Sequence, residues 1–110
     1  MKLIVAIVQD EDSGRLVSEM MDHGFGVTKL ATTGGFLRAG NTTLISGVAD
    51  EKLDEALALI EKICKSREQI TASTTHMSGG SGGVFVPYPI KVTVGGATVF
   101  VLEVSQFLKV

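Results

Sequence analysis

Residues 3–24 read LIVAIVQDEDSGRLVSEMMDHG, and this one line carries a strand, a helix start, an amphipathic helix and a stop. Residues 3–8 form an unbroken apolar run rich in β-branched side chains, the pattern of a strand buried on both faces. Asp10, Glu11 and Asp12 follow with capping oxygens and with negative charge that suits the positive end of a helix dipole. Leu16, Val17, Met20 and Met21 fall at the spacing of one helix face, and Gly24 stands where a left-handed residue ends a helix.

Outward from that unit, strands are expected at about residues 27–32 and 43–48, with a glycine-rich loop between them. Asp50 is the expected N-cap of a second helix, whose buried stripe is Leu53, Leu57, Ile60 and Cys64. Cys64 is thereby read as core filler and not as a nucleophile. Residues 69–75 read as a fourth strand, and HMSGGSGGV, residues 76–84, as a loop that is flexible in the free protein. That loop admits two readings, closure over a ligand or a plain surface connection. Residues 90–94 and 97–102 flank Gly95 and Gly96 and read as a hairpin with a two-residue turn, after which the tail SQFLKV is expected to pack back on the body.

The order strand, helix, two strands, helix, strand is that of an α+β protein, a ferredoxin-like βαββαβ sandwich with an additional β-hairpin, in one domain over residues 1–110. Two helices cover only one face of such a sheet, yet residues 3–8, Leu44 with Ile45, and residues 99–102 put apolar side chains on both. The uncovered face implies another subunit, a closed cyclic oligomer, and ligand sites in the clefts between subunits.

Composition bounds the function. The 110 residues are 45% hydrophobic without an apolar run of membrane-spanning length, so a soluble protein is expected, and no signal sequence is read at the start. One cysteine excludes an internal disulfide and suits a cytoplasmic location. A net charge of −2 argues against a nucleic-acid-binding surface, which needs clustered basic residues. A small anionic ligand remains compatible with it.

ATTGGFLRAGNTTLISG, residues 31–47, has the build of a ligand loop: glycines that let backbone approach a ligand, a stacking face in Phe36, and donors and acceptors in Asn41, Thr42 and Thr43. Gly35 to Thr42 matches a phosphate loop except for Asn41 in place of lysine, and a strand-like run follows where that motif needs a helix, so the phosphate-loop reading is rejected. His23 and His76 have no spaced partners that suggest a metal site or a catalytic triad, and His23 is expected at the helix C-terminus. Arg67 and Glu68 are read as a surface ion pair.

The opening LIVAIVQDEDS, the block TKLATTGGFLRAGNTT and the later VPYPIKVTVGGATVFVL resemble the cyclic di-AMP receptor proteins related to the PII signal-transduction proteins, over essentially the whole chain. The resemblance implies a cytoplasmic homotrimer that binds cyclic di-AMP at subunit interfaces, without catalysis, cofactor or metal. Rearrangement of the loop between the second and third strands and of the large glycine-rich loop is the implied output, read by an unidentified downstream protein. By position, it places Thr28, Phe36, Leu37, Asn41, Gly47 and Phe100 at the nucleotide. The expected ligand-binding set is completed by Gly26, Val27, Gly35 and Arg38. Phe100 keeps two readings, a core residue of an apolar strand or a stacking face. Arg38 likewise reads as a phosphate contact or as a solvated loop charge, and Lys29 should point to the opposite strand face from Thr28.

The chain departs from the family pattern at Gly24, where relatives carry a polar residue, at Gly26, where they carry arginine, and at Lys109, often a glutamine. Arginine gives a phosphate a bidentate, charge-assisted contact that a glycine amide replaces only in part. The alternatives left open are a receptor for another adenine nucleotide and a small trimeric enzyme with an interface active site.

Overall fold

The computed structural model describes residues 1–30, 40–75 and 86–110 of the chain. Its elements run β1 (Lys2–Gln9), α1 (Asp10–Asp22), β2 (Thr28–Leu30), β3 (Asn41–Val48), a 3-10 turn (Asp50–Lys52), α2 (Leu53–Cys64), β4 (Arg67–Thr75), β5 (Val86–Val94) and β6 (Ala97–Glu103). Four strands form an antiparallel sheet in the order β2-β3-β1-β6, and β4 pairs with β5 in a second sheet. The protein is a mixed α+β fold with the ferredoxin-like arrangement of two helices on a four-stranded antiparallel sheet, and β4–β5 is the additional hairpin.

Strand alternation divides the main sheet into two faces. Ile4, Ala6 and Val8 of β1 and Leu44 and Val48 of β3 are buried with Leu16 and Met20 of α1 and Ala56, Ile60 and Ile63 of α2. The alternate residues Leu3, Val5 and Ile7 are only half-buried, and Phe100 and Leu102 of β6 are exposed. The strand expected to be buried on both faces is therefore buried on one within a single chain.

Helix α1 ends as its sequence suggests. Gly24 has φ +87°, its N–H donates to Met21 O at 3.0 Å, and Phe25 N–H donates to Met20 O at 2.9 Å, the paired bonds of a Schellman stop. Phe25 closes over Met20, and both are buried. Met21 is 61% exposed: five residues beyond Leu16, it lies about 140° around the helix and off the buried stripe. No side chain caps the start of α1. Its acidic residues serve tertiary contacts instead, with Asp10 accepting from Thr42 Oγ1 and Asp12 accepting from Arg67 Nη2 at 2.8 Å and Nη1 at 3.3 Å.

Three further expectations are corrected. Asp50 does not cap α2; it lies in the 3-10 turn, where its carboxylate meets the N-terminal ammonium at 2.9 Å, which holds its carboxyl below the usual range. Arg67 pairs with Asp12 and not with Glu68, because neighbours on a strand point to opposite faces. Residues 90–94 and 97–102 do not pair with each other. Gly95 and Gly96, at φ +82° and +93°, turn the chain so that Val94 meets Arg67 while residues 97–103 run antiparallel to β1. The position beside β1 expected for the fourth strand is thus taken by β6.

Cys64 is 1% exposed at the end of α2, and burial, reinforced by the Asp12 carboxylate, pushes its thiol up to about 11. With an unfolded thiol near the ordinary value of about 8.5, alkylation at pH 8 should be roughly two orders of magnitude slower in the folded protein than in urea. Equal rates, followed by mass spectrometry, would place Cys64 outside the core.

Candidate functional site

The sheet face away from the helices holds an open cavity of about 640 Å³. Its floor is built by register. Thr28 on β2 stands opposite Ile45 on β3, and Gly47 stands opposite Leu3 on β1, so all four share this face. Gly26 adjoins them at the entry to β2, its carbonyl accepting from Ser46 Oγ at 2.6 Å. Over the floor lies the chain that leaves β6, where Val104 N–H donates to Met1 O at 3.3 Å and brings Phe107, Leu108 and Lys109 to the cavity wall.

The lining is shaped by small residues. A Cβ at Gly26 would meet nothing within 4 Å, and one at Gly47 would meet only Met1 Sδ at 3.9 Å. The backbone just before β2 and within β3 is therefore open to a ligand at these two positions. Leu3, Ile45, Phe107 and Leu108 make the walls apolar, Thr28 adds one hydroxyl, and Lys109 adds a positive charge. Such a lining, mainly apolar with few polar groups, suits a planar base bearing an anionic group.

Of the expected ligand-binding residues, Gly26, Thr28 and Gly47 converge on the cavity. Val27 does not join them with its side chain, which packs against the helix-side core. Lys29 pairs with Leu44 while Thr28 pairs with Ile45, which places the two on opposite faces. Asn41 lies at the far end of β3, opposite Gln9, about 20 Å along the strand from Gly47 at six residues' separation. Phe100 is 55% exposed and stands opposite Val5, so it shares the open face but sits three strands from Thr28, about 14 Å away. Gly35, Phe36, Leu37 and Arg38 lie outside the described residues, as does His76.

Near Asn41, Asp10 N–H donates to Gly40 O at 2.8 Å, just before β3, and Gln9 Oε1 accepts from Gly95 N–H at 2.7 Å in the turn between β5 and β6. His23 ends α1 as expected, with Nδ1 3.3 Å from Glu55 Oε1 on α2. A smaller cavity of about 350 Å³ at the end of α2 is lined by Cys64, Gly96 and Val99 among others. Among the described residues no three His, Cys, Asp or Glu side chains converge, and no helix is long and apolar enough to cross a membrane.

Sequence reading did not place Val104, Phe107 and Leu108 at the site. The available signal was the apolar pair in SQFLKV, which follows the last strand and has nothing in sequence to pack against.

A family model described as "Cyclic-di-AMP receptor" matches residues 1–110, the whole chain. Among solved structures the chain is similar to a functionally unknown protein from Pediococcus pentosaceus, at 44% sequence identity and a TM-score of 0.77, over 99% of this chain and 96% of that one.

Proposed function

From the premise that the chain belongs to the cyclic-di-AMP receptor family, we propose that it is a non-enzymatic signal receptor that binds cyclic di-AMP on the open sheet face, at the subunit interfaces of a cytoplasmic PII-like homotrimer. The carrying observation is the cavity in which Gly26, Thr28 and Gly47 meet, three residues that family resemblance alone assigns to the ligand. Phe100 supports the interface. Standing about 14 Å from Thr28 within one chain, it reaches the same adenine only from a neighbouring copy. An apolar face carrying Val5, Phe100 and Leu102 also calls for cover by protein.

In this reading Gly35, Phe36, Leu37 and Arg38, from the segment between β2 and β3, complete the pocket, and Asn41, at the far end of β3 from Gly47, meets the nucleotide from a neighbouring copy. The backbone beside Val27 borders it, and a downstream protein reads the changed loop conformation. Gly26 in place of arginine lowers affinity for cyclic di-AMP relative to a chain that carries the guanidinium.

Sedimentation together with calorimetric titration tests the proposal. A trimer at micromolar concentration that takes up one cyclic di-AMP per chain is expected, and Phe100→Ala should weaken uptake by about 1–3 kcal/mol, the range for loss of a stacked base. A stable monomer, or full affinity in Phe100→Ala, would overturn the interface site. Heat released by another adenine nucleotide but not by cyclic di-AMP would redirect the ligand assignment while leaving the cavity in place.

A further inference from the structure

Strands β4 and β5 form a sheet of their own, paired from Arg67 opposite Val94 to Thr75 opposite Val86. Strands of this length reach about 30 Å, and among the described residues no other element packs along them. The arm is fixed at its foot, where Arg67 is bonded to Asp12 and Gly95 N–H donates to Gln9 Oε1. A two-stranded ribbon with no further strand or helix against it is only marginally stable in water.

The two outer edges of this arm are unlike. Pro87 and Pro89 stand opposite Thr74 and Ala72. Proline has no N–H, so the β4–β5 ladder keeps its bonds only if these are the non-hydrogen-bonded pairs, whose backbone groups point outward. By alternation the outward set is Pro87, Pro89, Lys91 and Thr93 on β5, and Glu68, Ile70, Ala72 and Thr74 on β4. Prolines and an exposed lysine are the residues that keep a strand edge from pairing, and they close the β5 edge. Beyond Glu68 the β4 edge has no such guard: residues 69–75 read QITASTT, without charge or proline, and Ile70 is 73% exposed.

We infer that β4 is a docking edge for a second copy of this chain, the two β4 strands pairing antiparallel about a two-fold axis at Ala72 so that two arms make one four-stranded sheet. Charge selects this occupant and its register. With Ala72 opposite Ala72, Ile70 of one copy stands opposite Thr74 of the other, and the paired span 69–75 brings no like charges together. An axis at Glu68 would oppose two carboxylates. The contact is isologous, so it doubles whatever cyclic assembly the chain forms, and it does not depend on the ligand.

Sedimentation of the full chain over a concentration series tests the pairing, as wild type, Ala72→Pro, Ala72→Lys, Ala72→Glu and an equal mixture of the last two. Ala72→Pro removes an outward N–H while sparing the β4–β5 ladder, and either charged residue at the axis sets two like charges directly opposite. The expected result is a mass that doubles with rising concentration in the wild type, loss of the doubling in each single variant, and its return in the mixture. The amides of Ile70, Ala72 and Thr74 should exchange with solvent more slowly once the mass has doubled. No doubling in the wild type, or doubling that survives Ala72→Pro and Ala72→Lys, would overturn the inference. Slow exchange at those amides without doubling would also overturn it, in favour of a neighbour within the same ring. Doubling lost in the single variants but absent from the mixture refutes the axis at Ala72. The charged variants leave the backbone unchanged, so the mixture decides the matter even where proline disturbs the arm.

Discussion

Gly95→Ala is expected to lower the stability of the protein by about 2–4 kcal/mol, the sum of a left-handed backbone cost and an overpacking cost. Gly95 has φ +82°, and an added Cβ would lie 2.6 Å from Arg67 Nη1, 2.7 Å from Lys65 O and 3.1 Å from Cys64 O. The carbonyls belong to the end of α2 and the chain leaving it, and the guanidinium is already committed to Asp12 and to Lys65 O at 3.2 Å. Nothing close to the new methyl is free to move. The neighbouring Gly96 provides the control, with φ +93° and nothing within 4 Å of its Cβ, so Gly96→Ala should cost only the backbone share, about 1–2 kcal/mol. Urea unfolding of both variants at one protein concentration measures the difference, since coupling to assembly would otherwise shift the midpoint. Equal losses would mean that the crowding around Gly95 relaxes freely and that the junction of α2, β4 and β6 is not rigid.

That junction also marks where local sequence pattern stopped being a guide. Residues 90–94 and 97–102 satisfy every local rule for a hairpin, with alternating β-branched residues around two glycines that accept positive φ. The choice of partner is nonlocal. Arg67 is drawn to Asp12 at the start of α1, which seats the first residue of β4 against Val94, and the free edge of β1 takes residues 97–103. By contrast, the stop of α1 and most of the span of β3 were legible because each depends on contacts within one or two turns or on one alternation period, whereas only Ile60 and Cys64 of the expected α2 stripe are fully buried, with Ala56, Leu59 and Ile63 beside them and Leu53 and Leu57 half-buried at its edge. Gly24 could be read as a stop because the αL requirement is a property of the residue itself. Asp50 was misread because the N-terminal ammonium that claims it lies forty-nine residues away in sequence, beyond the reach of a capping rule.

The candidate site divided in the same way. Gly26, Thr28 and Gly47 were reached through family resemblance, and strand parity alone then predicts that Thr28 and Lys29 part company. That these residues meet a wall made of Phe107, Leu108 and Lys109 depends on where the chain goes after β6, and a tail without periodicity carries no such information. Asn41 and Phe100 share the face with the cavity but not the cavity itself within one chain, a distinction of strand number and length that residue type does not encode.

Leu16→Ala is expected to lower stability by about 3–5 kcal/mol while leaving ligand affinity nearly unchanged. Leu16 is fully buried between α1 and the sheet, against Ile4, Ala6, Met20 and Leu44, where a void of about 10 Å³ already exists. Its neighbours sit on two strands and a helix whose spacing is set by their own hydrogen bonds, so the enlarged void cannot readily collapse, and the cavity share of the cost persists. Strand β1 alternates: Ile4 and Ala6 face Leu16, whereas Leu3 lines the open-face cavity proposed for the ligand, with the strand backbone between. A ligand on one face should therefore not register a missing isopropyl group on the other, provided that titration is done where the variant remains folded and assembled. Phe100→Ala should show the mirror image, little change in the helix-side core and a weakened ligand. If Leu16→Ala loses affinity in step with stability under folded conditions, the two faces of the sheet are coupled and the site extends into the core.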